Sequence, residues 1–396
     1  MSRILFVISP ERGHINQFIG PAHYLQKDRK NIVAFYCQYN IADRMKKAGF
    51  SQFYSAKQEA PPPVTANRAK YFAENIKDKE WARYSLKTAY LDRVPVQIEP
   101  LRQVIKDFVP HLVVVDPKIY EAAIVCEQEK IKWLTMSASL TMVSPDFLAT
   151  ELNETVKWYK EDRDQLLKSM DVSFKFRFTD CLSPLLNICF TTDELLGNVS
   201  FPEVKRLGPS IPPSDRGDEC EFPWRNLDES VPVIYVWLGS QTFYQPGIMR
   251  TLIDAVRDRG VQLVCSVSEL YDTLKLESIP DNVLLLKDVP QLSILPAMAA
   301  TVSHGGACSV MESLANGVPI LVNPFYDDHS HQAYFIDKSS VGQRHDLSKM
   351  DPGECWRALQ FVLESPRIKE AVEKVQFSYK KQDGAHEAAR LISRMV

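Results

Sequence analysis

The stretch HGGACSVMES, residues 304–313, combines residue types that bind phosphate at the start of a helix. An apolar run ends at His304, two glycines follow, and a helical pattern begins at about residue 307. A helix N-terminus leaves backbone N–H groups unsatisfied and carries partial positive charge, while glycine lets a ligand approach the backbone. His304 and Ser309 can donate to phosphate oxygens, and Glu312 can accept from a vicinal diol such as that of ribose. A tight strand-to-helix turn would also explain the two glycines, so both interpretations stay open.

Polar residues and glycines follow other apolar runs in the same way. His14 follows the first run, Asp116 ends VVVD, Gly239 and Ser240 end IYVWLGS, and Asp328 follows ILVNPFY. In open α/β sheets, ligands bind beyond the carboxyl ends of the strands. We therefore expect these residues to lie at ligand-binding sheet edges.

The elements that must position these residues follow an α/β pattern. Continuous apolar runs such as RILFVIS (3–9) and NIVAFYCQ (31–38) alternate with helical patterns, and the same rhythm restarts with VPVIYVWLGS (231–240). Apolar runs without strict alternation are typical of parallel strands buried on both faces. The fold class predicted from the pattern is α/β, with helices covering both faces of parallel sheets.

Length and composition indicate two domains. The chain has 396 residues, which is too long for one ordinary domain. The proline-rich and charged stretch 207–224 lacks periodicity and reads as a linker. We expect an N-terminal domain over 1–212, a linker over 213–228, a C-terminal domain over 229–375 and a final helical segment over 376–396.

The overall composition argues against several classes of protein. A formal net charge of −3 and the absence of a long basic run argue against nucleic-acid binding. The eight cysteines show neither a CxxC pair nor zinc spacing, which favours reduced thiols in a cytoplasmic protein. The run after Arg3 is too short for a signal-peptide core, and no apolar run is long enough to span a membrane. Any membrane contact would therefore be peripheral.

The stretch HGGACSVMESLANGVPILVNPFYDDH, 304–329, resembles the donor-binding signature of the family-one, UDP-glycosyltransferase-like enzymes. The sequences PQLSIL (290–295) and IYVWLGSQ (234–241) resemble the elements that precede that signature. SPERGHINQF (9–18) looks like the element that carries the catalytic histidine, and PHLVVVD (110–116) like the strand whose aspartate pairs with it. The resemblance spans residues 3 to 345 and includes bacterial macrolide and carotenoid glycosyltransferases.

This resemblance implies a GT-B fold, in which two Rossmann-like doubly wound domains face each other across a cleft. The acceptor would bind mainly to the N-terminal domain and the nucleotide sugar to the C-terminal domain. His14 would take the proton from the acceptor hydroxyl, and Asp116 would orient the imidazole. The sugar would be transferred with inversion at the anomeric carbon, without a required metal ion or cofactor.

The resemblance also assigns donor-site and acceptor-site roles. Ser240, His304, Ser309 and the helix N-terminus would meet the diphosphate, Glu312 would hold the ribose, and Asp328 with His329 would hold the sugar. The donor set is completed by the neighbouring motif residues Gly13, Gly239, Gln291, Gly305 and Gly306. Aromatic residues Tyr71, Trp81 and Tyr84 fall where acceptor segments lie in this family, although ordinary helix packing also explains them.

The resulting hypothesis is a natural-product glycosyltransferase that uses a UDP-sugar, or alternatively a TDP-sugar, and a small, largely apolar acceptor. Asp288 and His329 stand where the family often has Trp and Gln, which leaves open a non-catalytic binding or activating protein with the same fold. A sugar-nucleotide epimerase is a further alternative. We expect a monomer or a homodimer.

Overall fold

Two parallel sheets form from the apolar runs of the sequence. In the computed structural model, which describes residues 1–28, 30–197, 199, 201–274 and 278–396, the strands are β1 Ser2–Val7, β2 Asn31–Cys37, β3 Phe53–Ser55, β4 Leu112–Val115, β5 Trp133–Ser137, β6 Lys175–Arg177, β7 Asp180–Leu182, β8 Asn187–Phe190, β9 Val204–Leu207, β10 Val233–Trp237, β11 Gln262–Ser266, β12 Val283–Leu286, β13 Ala300–Ser303, β14 Ile320–Val322 and β15 Gly342–Arg344.

Helices alternate with these strands along the chain. They are α1 Arg12–Lys27, α2 Ala42–Lys47, α3 Ala66–Asn75, α4 Lys79–Lys87, α5 Val94–Phe108, α6 Tyr120–Gln128, α7 Glu151–Trp158, α8 Lys160–Ser169, α9 Asp193–Leu196, α10 Pro246–Val256, α11 Tyr271–Leu274, α12 Gln291–Ile294, α13 Ala307–Ala315, α14 His329–Lys338, α15 Pro352–Glu364, α16 Pro366–Lys380 and α17 Gly384–Ser393.

Contacts within the chain divide it into two units. Unit 1 comprises Met1–Pro62, Lys79–Asp218 and Lys381–Val396, and unit 2 comprises Pro63–Asp78 and Glu219–Lys380. The boundary at 218 lies within the predicted linker. Residues 63–78, which we assigned to the N-terminal domain, belong to unit 2, and the final segment joins unit 1 from residue 381 rather than 376.

Unit 1 contains a seven-stranded parallel sheet with the order β3-β2-β1-β4-β5-β8-β9, and a separate antiparallel pair of β6 and β7. Residues 4–7 of the central strand β1 are fully buried because helices cover both faces of the sheet. Strands β1 and β4 are direct neighbours, with Phe6 opposite Val114 and Val7 opposite Val115. Residues that follow these two strands therefore lie at the same edge of the sheet.

Unit 2 repeats the arrangement with a six-stranded parallel sheet, ordered β12-β11-β10-β13-β14-β15. This is the order of a doubly wound sheet, in which the strand order reverses beside the first strand, β10. Strand β13 lies between β10 and β14, so the segments after these three strands meet at one edge. The two sheets confirm the α/β fold predicted from the sequence.

Helix α17 returns the chain to unit 1, where it packs against α1. The Tyr24 hydroxyl in α1 donates to Asp383 Oδ2 at 2.6 Å, and Asp383 caps α17 by accepting from the His386 amide. Gly20 allows the two helices to approach, because a Cβ at that position would lie 2.8 Å from the Cβ of Ala385. The fold of unit 1 therefore requires residues from both ends of the sequence.

Among the described residues, no helix is both long and apolar enough to cross a bilayer. All eight cysteines are free, and only Cys220 is exposed.

Candidate functional site

His14 and Asp116 are in direct contact in unit 1. His14 Nδ1 lies 2.5 Å from Asp116 Oδ2, with the imidazole about one third exposed and the carboxylate buried. Asp116 follows β4, and its amide donates to the carbonyl of Val7 at the end of β1. His14 lies in the first turn of α1, which begins at Arg12. Neighbouring strand ends thus bring together two residues that are 102 positions apart.

The pair is electrostatically coupled. Burial alone would lower the pKa of His14, but the charge and hydrogen bond of Asp116 outweigh it and raise that pKa to about 9. Burial would raise the pKa of Asp116, whereas the His14 charge and hydrogen bond lower it below its usual range. The contact therefore favours an imidazolium paired with a carboxylate.

A buried lysine adjoins this pair and was missed by the sequence reasoning. The Lys118 amide donates to Asp116 Oδ1 at 3.1 Å, and its ammonium lies over the ring of Tyr90. Only 4% of Lys118 is exposed, and its charge opposes the rise in the pKa of His14. A lysine two positions after the strand-end aspartate is the sequence signal that could have drawn attention to it.

Gly13 lies inside the first turn of α1. A Cβ at Gly13 would meet no protein atom within 4 Å, so packing does not require glycine there. Gln17, farther along α1, is buried, and its Oε1 accepts a hydrogen bond from the Ala138 amide just after β5. This bond fixes the helix that carries His14 against the sheet.

The glycines of the predicted donor site surround the ring of His304 in unit 2. Gly239 and Gly305 both have φ near +90°, a conformation that favours glycine. A Cβ on Gly239 would lie 2.9 Å from the His304 ring, and one on Gly306 would lie closer still. A side chain at position 239 or 306 would therefore clash with the His304 ring, and glycine at both positions avoids this clash.

His304 is buried, and its protonation is disfavoured. Burial is the main cause that lowers its pKa to about 3, and the nearby His329 acts in the same direction. Nδ1 of His304 lies 3.4 Å from the carbonyl oxygen of Trp237, which can only accept a hydrogen bond. The neutral ring thus carries its proton on Nδ1 in this contact.

Helix α13 begins at this point with an N-terminus that has no side-chain cap. Its N-cap is Gly306, which has no side chain that could cap the first turn. Ser309 lies in that turn, partly exposed, while Ser240 follows Gly239 after β10 and is also partly exposed. The first-turn amides and these two hydroxyls form a set of donors suited to an anion.

Gln291, Ser309 and Glu312 are brought together by α12 and α13. The Gln291 amide donates to Glu312 Oε2 at 2.6 Å and lies 3.5 Å from Ser309 Oγ. Glu312 is only 2% exposed, so this amide provides part of the hydrogen bonding that a buried carboxylate needs. The pairing of Gln291 with Glu312 could not be deduced from the sequence spacing.

Asp328 and His329 lie at the start of α14, where Asp328 is the N-cap. His329 Nδ1 accepts weak hydrogen bonds from the amides of Phe325 and Tyr326, at 3.4 and 3.3 Å. When His329 is neutral, its proton is therefore on Nε2, which can donate. Gly305 packs against the His329 backbone, which links this loop to the glycine segment.

The three aromatic residues predicted for the acceptor belong to two different units. Trp81 and Tyr84 lie on α4 in unit 1, whereas Tyr71 lies on α3 in unit 2. Tyr84 is 60% exposed and packs edge to face against Trp158, with ring centroids 5.0 Å apart. Tyr71 is similarly exposed. The ordinary helix-core interpretation therefore fits neither Tyr71 nor Tyr84.

Comparison with known proteins finds relatives that include a glycosyltransferase. Residues 250–393 match the family model described as erythromycin biosynthesis protein CIII-like, C-terminal domain. A 4'-demethylrebeccamycin synthase of Lentzea aerocolonigenes is 28% identical over 49% of this chain and 46% of its own length. The NDP-glycosyltransferase YjiC of Bacillus subtilis is 24% identical over 75% of each chain. The chain thus matches less than half the length of the first relative and three quarters of the second.

Solved structures show the same fold over the full chain. The glycotransferase of kitacinnamycin superposes with a TM-score of 0.77 at 20% identity, covering 100% of this chain and 99% of that one. The glycosyltransferase VinC, in complex with dTDP, has a TM-score of 0.72 at 17% identity and covers 99% of each chain. These likenesses confirm the predicted GT-B fold. In sequence the chain is thus similar to glycosyltransferases, and its fold is that of the GT-B glycosyltransferases.

Proposed function

We propose that the chain is an inverting glycosyltransferase that moves a sugar from a nucleotide sugar to a hydroxyl group of a small, largely apolar natural product. The observation that carries this proposal is the contact between His14 and Asp116 at the sheet edge of unit 1. A histidine held by a buried carboxylate is the pair needed to remove a proton from an alcohol. The relatives and their family model support sugar transfer as the reaction.

His14 acts as the general base in the proposed reaction. Nδ1 stays bonded to Asp116, and Nε2 takes the proton of the acceptor hydroxyl as its oxygen attacks the anomeric carbon. The new carbon–oxygen bond forms on the face opposite the departing nucleoside diphosphate, which leaves with the bonding electron pair, so the configuration inverts. Asp116 stabilises the imidazolium that results, and proton transfer of this kind accelerates reactions roughly 10²–10⁴-fold.

The raised pKa of His14 sets a condition on this step. A base must be neutral to accept a proton, and a pKa of about 9 leaves only a small fraction of His14 neutral at pH 7. The buried Lys118 charge opposes this rise and so increases the neutral fraction. Lys118 therefore favours the reactive form of the base without contacting the substrate in the proposed mechanism.

The donor binds to unit 2 in the proposed complex. The diphosphate is held by the α13 N-terminus with Ser240, His304 and Ser309, an electrostatic arrangement that fulfils the role a divalent cation has in other transferases. Glu312, oriented by Gln291, accepts from the ribose hydroxyls. Asp328 and His329 bind the sugar hydroxyls, with Nε2 of His329 as a donor. We accordingly propose metal-independent transfer.

UDP-sugar is the proposed donor, with dTDP-sugar as the alternative, since VinC, which has a similar fold, was solved with dTDP. We further propose that the enzyme acts in the cytoplasm on an acceptor that contacts Tyr71, Trp81 or Tyr84.

The test is a thermal-shift titration with UDP, dTDP and GDP and their glucose conjugates, followed by transfer assays against a panel of apolar alcohols with mass-spectrometric detection. We expect one nucleotide to raise the melting midpoint in the wild type but not in His304→Ala. We also expect His14→Ala to lower transfer roughly 10²–10⁴-fold and to keep nucleotide binding. His386→Ala is the matched control, because His386 is an exposed histidine on α17.

Other outcomes would contradict the proposal. Nucleotide binding without turnover of any acceptor would indicate a non-catalytic binding protein, and isomerisation of the donor without acceptor would indicate an epimerase.

A further inference from the structure

The segment 63–78 is inserted in the sequence of unit 1 but packs as part of unit 2. It contains α3, whose N-cap Thr65 accepts a hydrogen bond from the Arg68 amide. A helix of ten residues is only marginally stable by itself, so its order depends on tertiary packing. The buried face of this segment includes Ala69 and Ile76, which are spaced for one side of a helix and are 0% and 6% exposed.

Phe72 lies on the same side of this helix and contacts the loop between β14 and α14. Its ring meets the ring of Tyr326 edge to face, with centroids 5.4 Å apart and planes at 86°. Edge-to-face packing is one of the two favoured arrangements of aromatic rings. Phe72 therefore fixes the side chain of Tyr326 from outside the loop.

Tyr326 in turn determines the orientation of His329. The Tyr326 amide donates to His329 Nδ1, and the Tyr326 carbonyl accepts from the His329 amide at 3.2 Å. The intervening Asp327 has a left-handed backbone conformation, with φ of 54°. A displacement of Tyr326 would therefore move both the ring of His329 and the N-cap Asp328.

Besides its ring contact with His329, His304 in the diphosphate part of the site has contacts that do not involve Phe72 or Tyr326. His304 is enclosed by Gly239 and Gly306 and contacts the Trp237 carbonyl, all of which lie outside the 324–329 loop. A loss of the Phe72 contact should thus affect the loop that carries Asp328 and His329 much more than the ring of His304. The two parts of the site are separable in an experiment.

We propose that Phe72 is a positioning residue for the donor sugar: through its contact with Tyr326 it holds the loop that presents Asp328 and His329. This inference rests on the proposed function, since it presumes that these two residues bind the sugar. The inference gives α3 a role in recognising the sugar rather than the nucleotide. This helix interrupts unit 1 in the sequence and also carries the acceptor-site candidate Tyr71.

The test compares calorimetric dissociation constants for UDP and UDP-glucose, and for dTDP and dTDP-glucose, in the full-length wild type and Phe72→Ala. We expect the variant to weaken nucleotide-sugar binding about three- to tenfold, the range expected for one aromatic pair. Binding of the nucleoside diphosphate alone should change less than twofold. The ratio of the two constants reports the sugar contribution, which a general loss of stability would not alter selectively.

Further variants keep the test decisive. Phe72→Tyr retains the ring and should restore the wild-type ratio, while Phe72→Leu retains apolar volume and should resemble Phe72→Ala even if the alanine variant folds poorly. Lys70→Ala is the control, because Lys70 lies on the same helix in an exposed ion pair with Glu74. In the double variant with Tyr326→Leu, the loss should be no larger than in Tyr326→Leu alone.

Equal weakening of nucleotide and nucleotide sugar in Phe72→Ala, or no change in either, would overturn the inference and leave the proposed function intact. If the wild type binds none of these probes, the inference fails together with the proposed function.

Discussion

The imidazole rings of His304 and His329 lie nearly at right angles, with centroids 4.7 Å apart. One ring follows β13 and the other begins α14, so the contact joins the proposed diphosphate site to the proposed sugar site. Burial keeps His304 neutral over the ordinary pH range, and a positive charge on His329 would disfavour its protonation further. The two rings are therefore unlike in role: His304 is enclosed and fixed, whereas His329 depends on its loop.

Acid should destabilise the protein through His304. Its folded-state pKa of about 3 lies below the unfolded value near 6.5, so below pH 6.5 the unfolded chain binds a proton that the folded chain does not. Stability contributed by this group is present above pH 6.5 and is lost as the pH falls towards 3. Between pH 6.5 and 5 the loss should be on the order of 1 to 2 kcal/mol.

Calorimetric melting from pH 7.5 to 5 checks this expectation. The midpoint of the wild type should fall more steeply with acid than that of His304→Asn, while His386→Ala should follow the wild type. Parallel curves for wild type and His304→Asn would show that His304 is protonated in the fold.

The rate of transfer should rise with pH, and the pKa of His14 should determine the pH range of that rising limb. Since Asp116 raises the pKa of His14 to about 9, the neutral base becomes more abundant from pH 6 towards 9. Asp116→Asn should move the limb to lower pH and reduce the plateau rate, because the imidazolium loses its partner. Lys118→Met should move the limb to higher pH, because it removes the charge that opposes protonation.

The measurement is kcat/KM from pH 6 to 10 for the wild type, Asp116→Asn and Lys118→Met. Shifts of the two variants in the same direction, or a flat wild-type profile, would contradict the assignment of His14 as the base.

Gly239→Ala should damage the donor site. The new Cβ would lie 2.9 Å from the His304 ring on a backbone with φ of +90°, which is strained for alanine. We expect a loss of about 1 to 3 kcal/mol in stability and a loss of nucleotide affinity measured by calorimetry. Gly247→Ala is the matched control, since a Cβ there would meet no atom within 4 Å. Normal nucleotide binding by Gly239→Ala would place the diphosphate elsewhere.

Chelation should leave transfer unchanged. The α13 N-terminus and the hydroxyl and imidazole donors beside it supply the positive potential that the leaving diphosphate needs. We expect equal rates in excess EDTA and in millimolar Mg²⁺, measured on protein first dialysed against chelator. A rate that collapses in EDTA and returns with Mg²⁺ would refute the metal-independent mechanism.

The sequence was informative where a local rule applies. Apolar runs predicted the parallel strands, and the rule that ligands lie beyond strand ends selected His14 and Asp116 before their contact was known. Because β1 and β4 are neighbours in the sheet, the two side chains meet. The glycines near His304 were likewise recognisable from their place after β13.

Features that depend on distant packing could not be read from the sequence. The assignment of α3 to unit 2 depends on contacts such as that between Phe72 and Tyr326, which are 254 positions apart, and no local periodicity encodes such a partner. The bond between Gln291 and Glu312 likewise depends on how α12 approaches α13. Lys118 was overlooked because lysine is rarely buried.

The pairing of α1 with α17 has a consequence for biosynthesis. A nascent chain that has emerged from the ribosome only as far as residue 218 contains every strand of the first sheet, yet lacks the helix that covers Gly20 and bonds to Tyr24. Unit 1 must remain incomplete while unit 2 is synthesised, with an apolar helix surface exposed to chaperones in the interval. Folding of this protein thus finishes on the unit that is translated first.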